Sequence, residues 1–182
     1  MNKQITSSPK FFDPVILRKS AIVDSGFALG NSRWPLPSIV ELSPSGTCNR
    51  TCVFCPRSDP AYPDVEEFMS LELTEKLSTQ LAAIEFSGLV IFSGFVEPLL
   101  DKKIYDHLAL FRKQLPTARI EIVTNGDVLN EERLGRLFAS GLSTLLISVY
   151  DSKEDADRFE KMCRSIGLQD DQFVIRNRYL PQ

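Results

Sequence analysis

Long apolar runs are missing from this chain of 182 residues. None approaches the roughly 18 consecutive apolar positions that suggest a membrane span, and Met1 to Lys10 has no apolar stretch of signal-peptide type. These absences predict a cytoplasmic protein with no membrane partner. Excess positive charge is missing too. Twenty-one Lys and Arg face 24 Asp and Glu, for a net charge of −3, which leaves no broad basic surface and predicts no nucleic-acid partner. Histidine occurs once, as His107. No internal repeat or low-complexity segment stands out. Cysteine is scarce, with four residues, and disulfides are rare in the cytoplasm. Three of the four nevertheless cluster between positions 48 and 55, and that clustering needs a chemical explanation.

The apolar share, 43%, and the length suit one sizeable core. Residues 1–36 carry little periodicity and are punctuated by Pro9, Pro14 and Pro35 with Gly26 and Gly30. They read as an N-terminal extension anchored by Phe11, Phe12, Val15, Ile16 and Leu17, with a core domain over 37–182. From Pro37 strands and helices alternate. Ile39 to Leu42 reads as a strand, Leu73, Leu77, Leu81 and Ile84 as a helical stripe, and Leu89 to Phe92 as a buried parallel strand. A second stripe runs through Ile104, Leu108, Phe111 and Leu115. Ile120 to Val123 is the third strand, and Asn130 caps a helix that opens on Glu131 and Glu132. Leu145 to Val149 is the fourth strand. Phe159, Met162, Cys163 and Ile166 form a further stripe, and Phe173 to Ile175 is a fifth strand. This order predicts an α/β fold with a parallel sheet, whose chemistry sits in the loops at the strands' C-terminal ends.

The segment Cys48-Asn-Arg-Thr-Cys52-Val-Phe-Cys55-Pro56 follows the first strand directly. Thiolates are the usual ligands of iron–sulfur clusters, and a four-iron cluster normally takes four. A compact loop with three leaves one iron open to another ligand. Other readings exist. Cys52 and Cys55 alone could be half of a zinc site or a redox pair, with His107 or Cys163 as a further ligand. His107, however, lies beside an apolar helical stripe, and Cys163 lies on one, as a core cysteine would.

The C-x3-C-x2-C spacing, with Phe54 before its last cysteine, resembles the signature of the radical S-adenosylmethionine (SAM) superfamily. The resemblance implies a partial (β/α) barrel of about four to five units out of the usual six, with Cys48, Cys52 and Cys55 holding a [4Fe-4S] cluster. It implies that SAM binds the open iron and is reductively cleaved to a 5′-deoxyadenosyl radical, which abstracts hydrogen from a peptide or small-metabolite substrate. It also implies an electron donor such as flavodoxin or ferredoxin. Ser93-Gly94-Phe95-Val96-Glu97-Pro98 is similar to the family's GGE region, with Val96 where a second glycine is common. Thr124-Asn125-Gly126 resembles its T-N-G turn. Phe54, Ser93, Gly94, Glu97, Asn125 and Ser148 are thereby carried over as SAM contacts, and Arg158 is added because a guanidinium pairs well with a carboxylate such as that of SAM.

Cys55-Pro56 followed by Phe68-Met69-Ser70 resembles the branch with a C-terminal SPASM or twitch extension. No cysteine follows Cys163, so no auxiliary cluster is expected. Counted against the family's barrel, the core is expected to be incomplete at its C-terminal end, completed by a missing segment or a partner. A second reading of the whole is a non-catalytic or degenerate fragment that serves as an iron–sulfur binding or scaffold protein.

Overall fold

The computed structural model describes Lys19, Ser20 and Val23 together with residues 36–63 and 65–179. The expected anchors Phe11, Phe12, Val15, Ile16 and Leu17 lie outside these residues. Five strands make one sheet: β1 (Ile39–Leu42), β2 (Leu89–Phe92), β3 (Arg119–Thr124), β4 (Thr144–Val149) and β5 (Phe173–Asn177). They lie side by side in chain order, and every neighbouring pair is parallel. Between them run α1 (Leu71–Ala83), α2 (Ile104–Gln114), α3 (Glu131–Ala139) and α4 (Lys153–Ser165). A parallel sheet wound in sequence order is what a partial (β/α) barrel requires.

Local chemistry sets these elements. Ser70, Asn130 and Ser152 each cap a helix by accepting a hydrogen bond from the backbone N–H three residues on, which satisfies a donor that the first turn leaves free. Glu131, Glu132, Glu154 and Asp155 then place negative charge in the first turns of α3 and α4, where the helix dipole favours it. β2 and β4 are buried at every position. Alternate side chains of the strands face opposite sides. Val90, Phe92, Ile120, Ile122, Leu145 and Ile147 join the helices in the main core. Glu121, Thr144 and Ser148 are buried on the other side, so that face of the sheet carries polar groups as well as Ile91 and Leu146.

The expected stripe on α1 holds in its middle, where Leu77 and Leu81 pack against the core, and departs at its ends. Leu73 and Ile84 are 44% and 40% exposed, while Thr74 and Ser78 face inward. The reason is a polar contact with α2. His107 is fully buried, its Nδ1 2.6 Å from Thr74 Oγ1 and its Nε2 3.0 Å from Asp101 Oδ2. A buried imidazole needs such partners, and they fix which side of α1 turns inward.

Cys163 lies in the main core with Phe159. Burial pushes its thiol up to about 11, so it is a poor thiolate ligand at neutral pH. Cys163→Ala is expected to leave iron content after anaerobic reconstitution unchanged and to lower stability by about 1 kcal/mol. Iron titration and urea melting of the same preparation check both.

Candidate active site

The C-terminal ends of β1 to β4 open around one depression of about 480 Å³, counted out to open solvent. Cys48, Cys52 and Cys55 line it from the loop after β1, Gly94, Val96 and Glu97 from the loop after β2, Thr124 and Asn125 from the end of β3, and Ser148 and Tyr150 from β4 and the residue following it.

The cysteine loop is tied back to its own strand and to the next. Ser45 bridges Phe68, the Gly46 N–H donates to Glu67, and the Met69 N–H donates to Pro44. The Glu97 N–H donates to the Thr47 carbonyl at 3.0 Å. Arg57 donates to the Gly46 carbonyl at 3.1 Å and to the Phe95 carbonyl at 3.4 Å. All three clustered thiols are free and partly accessible. Burial is the main influence that pushes the Cys48 and Cys52 thiols up, and the Arg50 guanidinium opposes it at Cys52.

Among the described residues, no three His, Cys, Asp or Glu side chains converge tightly enough to hold a single metal ion. Thiols spread around a cavity fit a cluster, where each thiolate takes its own iron, better than they fit one tetrahedral zinc. His107 lies away from them, held by Thr74 and Asp101.

Glu97 is 1% exposed, and both of its oxygens are engaged. Oε1 accepts from the Leu99 N–H at 2.9 Å and the Thr124 hydroxyl at 2.8 Å, and Oε2 accepts from the Asn125 N–H at 2.8 Å. Burial pushes its carboxyl up against the pull of these three donors. Glu97 thus joins the end of β2 to the end of β3 and holds the T-N-G turn in place. Asn125 Nδ2 reaches Asn49 Oδ1 at 2.8 Å and lies 3.9 Å from Cys48 Sγ. Gly126 has φ +80, and a Cβ there would sit 2.6 Å from the Phe159 ring, so the turn requires glycine.

Gly94 has φ +117, and a Cβ on it would strike Ser43 Oγ at 2.4 Å. Val96 is not among the non-glycine residues with positive φ, so its β-branch sits on backbone it tolerates. Val96→Gly is expected to cost about 0.5–1 kcal/mol in a thermal melt through added freedom of the unfolded chain, with iron content unchanged.

The other expected contacts divide. Ser148 is 1% exposed, lines the cavity, and its Oγ makes no hydrogen bond of sound geometry. Its nearest polar neighbour is the Tyr150 hydroxyl, which also lines the cavity. Phe54 is not among the lining residues; it is 66% exposed, with its ring 5.5 Å from that of Tyr150. Ser93 is not among the lining residues, and its hydroxyl is turned to Glu41. Arg158 is also absent from the lining. It pairs with Asp155 at 3.0 Å and lies over the Phe159 ring, so its position on α4 accounts for its charge.

Four residues that motif reading passed over complete the site. Arg50, inside the cysteine loop, meets Asp127 after β3 and Asp151 after β4, and it lies 5.6 Å from the Tyr150 ring centre. Their positions just past strand ends were the available signal.

The chain belongs to the radical SAM superfamily, whose family model matches residues 42–173. Family members use a [4Fe-4S] cluster and SAM. One relative, from Niallia circulans, is an S-adenosyl-L-methionine-dependent 2-deoxy-scyllo-inosamine dehydrogenase, 32% identical over 152 residues that cover 78% of this chain and 59% of that protein. Among solved structures, BtrN in complex with AdoMet and 2-DOIA superposes with a TM-score of 0.66 at 27% identity, covering 79% of this chain and 57% of that one. Selenomethionine BtrN in an open conformation gives 0.62 at 28% identity, with the same coverage. The chain spans less than two thirds of the length of these relatives.

Proposed function

We propose that this chain is the cluster- and SAM-binding part of a radical SAM dehydrogenase that acts on a small hydroxylated molecule. The observation that carries the reading is the meeting, in one cavity, of the three-cysteine loop, the Gly94–Glu97 loop and the T-N-G turn. Cys48, Cys52 and Cys55 would hold the [4Fe-4S] cluster and leave one iron open to the cavity. The groups supply, when bound, one-electron cleavage of SAM and hydrogen abstraction from a substrate carbon.

The chain's own residues bind and orient. Gly94 lets the backbone after β2 turn with no side chain in the way. Glu97 holds Asn125 at the wall beside Cys48. The buried Ser148 hydroxyl, beside the Tyr150 hydroxyl, lines the cavity and offers a hydrogen bond there. The exposed Phe54 ring lies against Tyr150, which lines the cavity, and offers an apolar face suited to stacking on a flat heterocycle.

A small-molecule substrate is favoured over a peptide by the relatives, one a dehydrogenase of 2-deoxy-scyllo-inosamine and one solved with 2-DOIA. An external one-electron donor of flavodoxin or ferredoxin type fits a cluster that must be reduced. Residues 37–182 form the core domain in this reading, and four free cysteines fit the reducing cytoplasm. No helix among the described residues is long and apolar enough to cross a membrane. Anaerobic reconstitution, reduction and an assay for 5′-deoxyadenosine test the reading. Release of 5′-deoxyadenosine supports it. A cluster that forms and binds SAM without ever cleaving it would favour the degenerate scaffold instead.

A further inference from the structure

Arg50 joins the three-cysteine loop to the segments that follow two neighbouring strands, β3 and β4. Its Nε and Nη2 donate to Asp127 at 2.6 and 2.5 Å, and its Nη1 and Nη2 donate to Asp151 at 3.0 and 2.6 Å. Asn49 Nδ2 adds a further bond to Asp127 at 2.8 Å. One guanidinium is therefore gripped in two-point fashion by carboxylates from two different strand-end loops. Isolated surface ion pairs contribute little to stability, but forked and networked ones are the exception. The partners lie 77 and 101 residues away in sequence, and none of the three side chains belongs to the main core. The consequence of the network therefore falls on where the loop sits, rather than on whether the domain folds.

We infer that Arg50 is a positioning residue, which clamps the three-cysteine loop to the ends of β3 and β4 so that the cluster is presented to the SAM-binding wall in one orientation. This rests on the reading of the site as a cluster and SAM pocket. The donors of the fork are already directed to Asp127 and Asp151, so Arg50 acts on SAM through the loop and not by direct contact. Lysine carries the same charge without the planar fork and cannot replace both grips.

The test compares wild type, Arg50→Gln, Arg50→Lys, Asp127→Asn and Asp151→Asn. Each is measured twice: metal-free by hydrogen exchange, and reconstituted by SAM titration followed in the EPR spectrum of the reduced cluster. Metal-free Arg50→Gln should exchange faster over residues 48–55, with exchange in β2 and β4 unchanged. Reconstituted, it should keep about four irons per chain, while its Kd for SAM rises roughly 10- to 100-fold, as for other partners that orient metal ligands. Arg50→Lys should recover only part of this. Both aspartate variants should weaken SAM binding in the same direction.

Unchanged exchange over 48–55 in Arg50→Gln would overturn the inference. So would tighter SAM binding in Asp151→Asn, which would mean that Arg50, once released, grips SAM itself. If wild type takes up no iron or binds no SAM, the functional reading fails, and the metal-free exchange still decides whether the clamp exists. Should Arg50→Gln fail to fold, Asp151→Asn, altered at a half-exposed partner, decides: faster exchange over 48–55 with the fold kept supports the clamp, and unchanged exchange there overturns it.

Discussion

Alanine at Cys48, Cys52 or Cys55 is expected to abolish the iron–sulfur absorbance of the reconstituted protein, with iron falling from about four per chain to below one. Losing one of three thiolates leaves a second iron without a protein ligand, and a cluster held by two is exposed to loss. The metal-free fold should be almost unaffected. None of the three cysteines is buried, so little apolar surface is given up, and surface changes of this kind usually stay within about 0.5 kcal/mol. The two readouts together separate a ligand from a packing residue. The same substitution at Cys163 should show the reverse pattern, with iron kept and stability lowered. Stoichiometric zinc without iron in the reconstituted wild type would overturn the assignment of the loop.

The strands were legible because their chemistry is local. Leu89 to Phe92 and Leu145 to Val149 are continuous apolar runs, and both are buried throughout. The Asn130 cap was legible for the same reason, since its partner is the N–H of Arg133. The inward face of α1 was legible only in part, at Leu77 and Leu81. Leu73, Leu77, Leu81 and Ile84 satisfy a helical period, but the face is chosen by Thr74 meeting a histidine 33 residues away. A polar contact of that separation leaves no periodic trace.

The site divides in the same way. The three cysteines announce themselves by spacing, and the T-N-G turn by composition. The structure brings both to one cavity with Gly94. Arg50 went unread because an arginine between cysteines has no meaning until Asp127 and Asp151 are placed opposite it. Arg158 was read as a ligand from its residue type alone, and its neighbours Asp155 and Phe159, three and one positions away, engage it on its own helix. Glu97 lines the cavity, yet its carboxylate is bonded to the neighbouring strand end at Thr124 and Asn125, a role that no motif spells out.

That role makes Glu97 the position with the largest expected effect on the fold. Glu97→Ala removes the acceptor of the Leu99 N–H, the Asn125 N–H and the Thr124 hydroxyl together. Each buried donor left unpaired costs about 1–3 kcal/mol, and partial access of water from the cavity relieves some of it, so a loss of about 3–5 kcal/mol is expected. Against a total stability of about 5–15 kcal/mol, that is a severe change, visible as a large drop in the urea midpoint of the metal-free protein. Glu97→Gln discriminates the cause. Its carbonyl oxygen can keep the Leu99 and Thr124 bonds, but its amide nitrogen then faces the Asn125 N–H, donor against donor. A loss of about 1–3 kcal/mol is expected, smaller than for alanine. The T-N-G turn is the part set free. Because Asn125 also holds Asn49 beside Cys48, hydrogen exchange in Glu97→Gln should quicken at residues 124–127 and across the cysteine loop, while α2 and α4 stay protected. Equal and small losses in both variants, with protection at 124–127 unchanged, would show that the turn stands without the carboxylate.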